Sequence, residues 1–101
     1  MEPELPVEKC VNINDVATDV VNRSRHYSYY RWKVNVANRC KRPLTVVVRF
    51  DIYDRHDFAI QATVEPLQVP ARDIAAAQGT MVLSVGDLRR ISTKKVNMSV
   101  R

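Results

Sequence analysis

The feature that most constrains this fold is an unbroken two-residue alternation between Tyr29 and Val36. Apolar side chains take every second position and polar or tyrosine side chains fall between them: Tyr30, Trp32, Val34 and Val36 against Tyr29, Arg31, Lys33 and Asn35. Successive side chains of a β-strand point to opposite faces. The period of two therefore predicts a strand with one buried face, which we expect to include Trp32.

The same period recurs along the chain. It predicts strands at Lys9–Val21, with a bulge near Asn14, and at Leu44–Tyr53, Asp73–Leu83 and Lys95–Arg101. After the polar stretch 54–57 the alternation resumes at Phe58, Ile60, Ala62 and Val64, which predicts a hairpin. Glu65–Pro70, with two prolines, is expected to be a loop.

Short strands joined by polar turns are typical of an antiparallel sandwich. We expect an all-β, immunoglobulin-like sandwich of about six or seven strands, with one short helical turn near residues 85–91. At 101 residues the chain fits one domain. Residues 1–7 are expected to form a flexible lead-in and residues 8–101 the single sandwich domain.

The net charge is +5, although the first twenty residues hold five acids against one lysine. The remaining body is therefore strongly basic and would attract an anionic partner. No apolar run is long enough to span a membrane. No signal peptide is visible, which fits either a cytosolic protein or a chain separated from its leader.

The stretch 49–60 contains Asp51, Asp54, His56 and Asp57, which raises the question of a metal or catalytic cluster. In a regular strand Asp51 lies on the face opposite Phe50. Asp54, His56 and Asp57 are expected in a tight turn, mostly facing water, because aspartate there can accept a backbone N–H two residues on. We favour turn chemistry over a weak cation site, and we expect no metal and no cofactor.

A second candidate is the basic and aromatic stretch 23–33 with the following turn. Its outward positions form a possible anion- or protein-binding surface made of Tyr27, Tyr29, Arg31, Lys33, Arg39, Lys41 and Arg42. Basic residues between aromatic ones can stack bases and hold phosphates. The alternative is an ordinary solvated face, on which long side-chain stems cover apolar surface.

The two cysteines, Cys10 and Cys40, fall opposite each other, to within one residue, in a hairpin whose turn centres near Ser24–Arg25. Directly opposed residues can approach closely enough for a disulfide. The alternatives are a disulfide in an oxidising compartment and two reduced thiols in the cytosol.

Catalytic chemistry is poorly supported by the sequence. Only His26 and His56 could act as a base near neutral pH, and Ser24 beside His26 has no acid to orient the imidazole. With only two glycines, Gly79 and Gly86, the chain cannot build a glycine-rich phosphate loop. We expect a protein that is not an enzyme.

The segment FDIYD, Phe50–Asp54, resembles the FxLYD family of small immunoglobulin-like sandwich domains of bacterial envelope proteins, with Ile52 in place of the usual leucine. The stretches WKVNVANRC, which contains Trp32, and GTMVLSVGDLRRI extend the resemblance over roughly residues 28–101. Family members often have a glycine in the turn after the aspartate, where this chain has His56 and Asp57. The resemblance implies an extracytoplasmic binding or spacer module without catalytic residues.

We therefore expect a non-catalytic module of the cell envelope or periplasm. Its partner would be another protein or an anionic envelope component, reached through a surface or an exposed sheet edge. The alternative function is a basic nucleic-acid-binding domain that uses the aromatic and basic strand face, and we consider nucleic acid the weaker candidate partner.

Overall fold

A computed structural model describes residues 7–21 and 24–101 of the chain. These residues form six strands and two short helices: α1 (Val7–Cys10), β1 (Val11–Val21), β2 (Tyr27–Asn38), β3 (Leu44–Tyr53), β4 (Ala59–Val69), β5 (Asp73–Ser84), α2 (Val85–Arg90) and β6 (Thr93–Val100). The predicted flexible lead-in, residues 1–7, lies outside the described residues except for Val7, which begins α1.

The strands form two three-stranded antiparallel sheets, and the all-β sandwich prediction is confirmed. The first sheet has the order β1-β2-β5 and the second has the order β4-β3-β6. The chain passes from the second sheet to the first at residues 70–72, between β4 and β5. The predicted helical turn is α2. No helix within the described residues is long and apolar enough to cross a membrane.

The core lies between the two central strands. The inward side chains of β2 and β3 are almost completely buried: Tyr30, Trp32, Val34 and Val36 from β2, and Val46, Val48, Phe50 and Ile52 from β3. The rings of Trp32 and Phe50 stack with 5.2 Å between their centroids. Burying each large side chain contributes roughly 1.5–3 kcal/mol, so this double row is the main source of stability.

The predicted bulge in β1 is confirmed, because the pairing with β2 shifts between Ile13 and Asp15. A second bulge was not predicted. The pairing of β3 with β4 shifts between Ile52 and Tyr53, which moves the following β4 residues to the opposite face. Val64 is consequently 51% exposed, although it continues the apolar alternation. Phe58, in the turn before β4, is 69% exposed.

The expected loop Glu65–Pro70 is wrong for most of its length, because β4 continues to Val69. Pro66 lies in this strand, opposite Val47 of β3. A proline has no N–H to donate, but β4 is an edge strand, and one side of an edge strand has no partner. The proline therefore leaves the pairing with β3 intact.

Candidate functional site

The acidic turn after β3 is built around Asp54. Its carboxylate accepts hydrogen bonds from the backbone N–H groups of His56, at 2.8 Å, and Phe58, at 3.0 Å. Arg90 of α2 donates to the same carboxylate at 3.1 Å. The expectation that Asp54 faces water is therefore wrong, since the residue is 7% exposed. The predicted use of aspartate as a backbone acceptor is confirmed.

The electrostatics of Asp54 follow from these contacts. Desolvation by burial raises its pKa, but the hydrogen bonds from Phe58 and His56, together with the Arg90 guanidinium, outweigh it and hold the pKa below its ordinary value. The carboxylate thus has a structural role, because its oxygens accept hydrogen bonds from the turn backbone and from Arg90 of α2.

The turn closes at Asp57, whose φ of 64° lies in the left-handed region. Aspartate is among the few residues other than glycine that adopt this conformation readily. Asp57 therefore closes the hairpin without a glycine. His56 and Asp57 are exposed, as expected.

Asp51 does not join this turn. It lies on the outer face of the second sheet, 2% exposed, and accepts a hydrogen bond of 2.9 Å from Nε of Arg49. Beside it the Lys95 ammonium lies 4.6 Å from the centre of the Tyr53 ring. The four residues considered as a candidate cluster are thus divided between two environments. Among the residues described, no group of three or more histidine, cysteine or acidic side chains is arranged to hold a metal ion.

The predicted aromatic and basic face is the outer face of the first sheet. Tyr27, Tyr29, Arg31 and Lys33 alternate with the buried side chains of β2, as expected. Across the sheet, Tyr29 is paired with Val21 of β1 and with Val82 of β5. Tyr27, Tyr29 and Val82 are 56%, 43% and 54% exposed. This places a half-exposed apolar stripe, defined as Val21, Tyr27, Tyr29 and Val82, across three strands.

The charge on this face is partly neutralised by a contact that the sequence did not reveal. Arg31 donates two hydrogen bonds to the carboxylate of Asp19, its partner on β1, at 3.1 and 2.9 Å. This hydrogen bonding lowers the pKa of Asp19 and raises the pKa of Arg31. Both side chains are half exposed, so the pair contributes little to stability. Its main effect is to make the face less basic than predicted.

Beside this ion pair the structure has a cleft of about 450 Å³. Its lining includes Trp32, Lys33, Glu65, Gln78 and Gly79. Gly79 lies directly opposite Trp32, and a Cβ at this position would come within 2.5 Å of the indole ring. The indole N–H donates to the Thr63 hydroxyl at 2.8 Å. Trp32 is 2% exposed, so the ring fills the space above Gly79 and offers no face to a ligand in the cleft.

The other three predicted surface residues, Arg39, Lys41 and Arg42, lie beyond the far end of β2. At about 3.3 Å per residue, the strand separates Tyr29 from Asn38 by about 30 Å. The seven residues are all exposed, as predicted, but they belong to two separate surfaces. The apolar stripe lies at one end of the sandwich and the basic turn at the other.

The basic turn is held by the buried side chain of Asn38, a role that sequence reasoning missed. Its amide donates to the carbonyl groups of Arg42, Val69 and Pro70 at 3.0–3.2 Å. Its carbonyl accepts from Cys40 N–H at 2.8 Å. One side chain thus joins the β2–β3 turn to the β4–β5 turn. The visible signal was an asparagine at an inward position of β2.

The Cys10–Cys40 disulfide is present, with 5.3 Å between the two Cα atoms, and both residues are buried. The register lies within the predicted range, one residue away from direct opposition of the two cysteines, since Val11 pairs with Asn38 and Arg39 N–H donates to the Cys10 carbonyl. The β1 bulge causes this offset. Both cysteines lie just beyond the paired strands, where the chain can still bring the two sulfurs together.

Comparisons with known proteins support the fold. No protein-family model and no curated protein matches the chain. Among solved structures it is similar to a DUF1425 family member from Shewanella sp. pv-4, with 11% identity, a TM-score of 0.56, and 88% of this chain and 76% of that chain covered. Cj0090 of Campylobacter jejuni gives 13% identity and a TM-score of 0.54 over 88% and 85% of the two chains.

A glycoside hydrolase family 2 β-glucuronidase is also similar, with 9% identity and a TM-score of 0.62. The match covers 68% of this chain but 7% of the hydrolase. At these identities the likeness concerns the fold alone. The chain is a small all-β sandwich that is similar in fold to the Shewanella and Campylobacter proteins.

Proposed function

We propose that this chain is a non-catalytic protein-binding module that works in the bacterial cell envelope, as the FxLYD resemblance implies. The observation that carries the proposal is the apolar stripe. Val82 and Tyr29 are cross-strand neighbours on a face turned away from the core, and both are about half exposed. An outward sheet face in water ordinarily carries polar side chains.

The composition of the stripe fits a protein partner. Tyrosine is enriched at the centres of protein interfaces, because it buries a large area at a small entropic cost. Around the stripe lie polar groups that suit an interface rim: the Arg31–Asp19 ion pair and Thr80. The partner surface would therefore have an apolar centre with hydrogen-bonding groups around it.

The disulfide supports the compartment. Disulfides persist in the periplasm and outside the cell and are rare in the bacterial cytosol. Cys10 and Cys40 are also the two cysteines of the chain, so their pairing leaves no cysteine for catalysis or metal binding.

The surroundings of the candidate catalytic groups support a binding role. The Ser24 hydroxyl accepts from the backbone of Tyr27 at 3.0 Å and donates to the Tyr27 carbonyl at 3.1 Å. It therefore serves the β1–β2 turn, and its hydroxyl is not directed at the imidazole of His26. The alternative function, nucleic-acid binding by the same face, is weakened by the neutralisation of Arg31 by Asp19.

The test is site-specific crosslinking in the cell that makes this protein. A photo-crosslinking amino acid replaces Tyr29 on the stripe or, as the matched control, Asn97, which is exposed on the outer face of the second sheet. We expect a crosslinked adduct of defined mass when the photo-crosslinker is at position 29. The adduct should not form when the crosslinker is at position 97, and it should be lost from position 29 when Val82→Lys is introduced. The captured protein must then bind the purified chain, and more weakly bind the Val82→Lys variant. The same adducts from both faces would reject the proposal.

A further inference from the structure

One side of the sandwich is closed and the other is open. On the closed side β4 and β5 pack against each other, and three inward side chains of β5 are at most 3% exposed: Ala77, Met81 and Leu83. On the other side lie β1 and β6, which belong to different sheets and do not pair. The Lys94 ammonium donates a hydrogen bond to the Thr18 hydroxyl at 3.0 Å, so these two edge strands are neighbours.

The open side exposes apolar side chains that point inward. In β1, Val16 and Val20 lie opposite the buried Val34 and Tyr30 of β2, so they share the core-facing side of the first sheet. Val16 is nevertheless 39% exposed, and Val20 is only partly buried. The core-facing side chains of β6 are likewise only partly buried: Val96, Met98 and Val100. These five side chains define an apolar opening between the two sheets, here called the lateral opening.

The backbone of β6 has hydrogen-bonding groups along this opening that have no partner among the described strands. Arg101 N–H donates to the Thr45 carbonyl of β3 at 2.9 Å. Backbone bonding alternates along an antiparallel ladder, and the register between β3 and β6 is unbroken. Every second residue back from Arg101 therefore bonds to β3, and the residues between them direct N–H and C=O to the free edge. These are Val96, Met98 and Val100, whose side chains line the lateral opening.

We propose that an extended segment of another protein pairs with β6 as an additional antiparallel strand and closes the lateral opening. A row of free N–H and C=O groups bonds most completely to a partner that is itself extended. Directly opposed residues of an antiparallel pair point to the same face, so the partner residues that bond to β6 also point inward. They must be apolar to cover Val16 and Met98. The partner is therefore a strand with an apolar residue at every second position.

Charge on the outer face of the second sheet adds a second requirement. The charged residues at outward positions of its three strands are Arg49, Asp51 and Lys95. Arg49 and Asp51 pair with each other at 2.9 Å, which leaves the excess positive charge on Lys95. An acidic residue facing Lys95 would stabilise the added strand. A second copy of the chain, paired through its own β6, would not supply it, since β6 contains Lys94 and Lys95 and no acid.

The test uses the oxidised full chain and a capped synthetic peptide, Thr-Val-Thr-Val-Thr-Val-Glu. Antiparallel pairing sets its glutamate opposite Lys95 and its valines opposite Val96, Met98 and Val100. Amide hydrogen exchange followed by NMR measures the pairing at each residue of β6. In the free protein these three amides should exchange fast, and the peptide should slow them. The amides that bond to β3 should be slow with and without peptide: those of Lys95, Asn97 and Ser99.

Two peptide controls require no change in the protein. N-methylation of the central valine removes an N–H that faces β6. It should weaken binding at least about fivefold, the equivalent of one backbone hydrogen bond. N-methylation of the neighbouring threonine removes an N–H that faces away from β6 and should leave binding nearly unchanged. Replacing the glutamate by lysine should also weaken binding, and added salt should reduce this difference.

The protein variant Val96→Pro removes a free-edge N–H but none of the bonds to β3, and it should abolish peptide binding. Circular dichroism confirms that the variant is folded. Val82→Lys, on the apolar stripe, should leave peptide binding unchanged. The inference therefore uses a different surface from the proposed function, and either can fail while the other holds. Any adduct that the partner strand forms at position 97 in the cell would differ in mass from the adduct at position 29.

Three results would overturn the inference. The first is equal weakening by the two N-methylated peptides. The second is unchanged exchange of the Val96 and Met98 amides at saturating solubility of the peptide. The third is self-association, detected by sedimentation velocity, that protects these amides without peptide, which would make a second copy of the chain the occupant of the lateral opening.

Discussion

At the scale of single residues, the pair Gly79 and Trp32 decides how the centre of the first sheet packs. A Cβ at position 79 would lie 2.5–2.6 Å from three atoms of the indole ring. We predict that Gly79→Ala lowers the free energy of unfolding by about 3 kcal/mol, because the displaced indole loses its stacking on Phe50 and its bond to Thr63. Urea denaturation followed by Trp32 fluorescence measures the change.

The second glycine provides the control. At Gly86, in α2, the nearest atom to a new Cβ would be the Ser84 hydroxyl oxygen at 3.9 Å. Gly86→Ala should be neutral or stabilising by up to about 1 kcal/mol, since alanine favours helix. Equal destabilisation by the two substitutions would contradict the packing explanation.

Asp54 predicts a pH dependence of stability. Its pKa is lowered in the folded protein, so its contribution is complete above the ordinary value of 3.8 and is lost as pH falls through the lower folded value. We expect Asp54→Asn to be less stable than the parent near neutral pH, with the two curves converging below pH 3.8. Thermal unfolding across this pH range measures both curves.

Asp57→Asn is the matched control for this effect, because Asp57 is exposed in the same turn and asparagine tolerates its positive φ. Its stability curve should follow the parent curve. Parallel curves for the parent and Asp54→Asn would show that the carboxylate does not act as described.

At the scale of elements, the disulfide is the strongest local constraint. It closes a loop with a sequence separation of 30, for which the chain-entropy estimate is about 3.5 kcal/mol. Cys10→Ser with Cys40→Ser should therefore remove a large part of the stability typical of a small domain. Chemical denaturation measures the free energy of unfolding of the oxidised parent, the reduced parent and the double variant. The reduced parent and the double variant should give the same value. If the denaturation midpoint of the parent is the same with and without reductant, the prediction is contradicted.

The two bulges show which elements could be predicted from sequence. At the β1 bulge the apolar residues of the strand switch from odd to even positions, so the bulge was visible in the sequence as a break in the two-residue alternation. In β4 the apolar residues Ile60 and Val64 continue the alternation, but Ile60 packs against the core and Val64, beyond the bulge, lies on the exposed face. Because β4 is a half-exposed edge strand, apolar side chains are tolerated on its outer face. The apolar pattern therefore does not reveal where the backbone changes face.

At the scale of the whole molecule, the apolar stripe and the basic turn 39–43 lie at opposite ends of β2, and this separation predicts how the protein binds nucleic acid. Any binding of single-stranded oligonucleotides at low salt should be electrostatic, lost at physiological salt, and unaffected by Tyr29→Ser. If Tyr29 stacked a base, the substitution would cost about 1–3 kcal/mol of affinity. Fluorescence anisotropy at two salt concentrations distinguishes these results, and salt-resistant binding that needs Tyr29 would favour the nucleic-acid alternative.

The sequence alone determined the central strands β2 and β3, their buried faces and the approximate opposition of Cys10 and Cys40, because alternation and hairpin register depend on residues close along the chain. Tertiary structure decided the rest. Gly79 makes room for Trp32 only once β5 pairs with β2, and Arg72 joins the turn 39–43 only once the chain has crossed from the second sheet to the first. Contacts between distant segments depend on the order of the strands, which a local pattern does not encode.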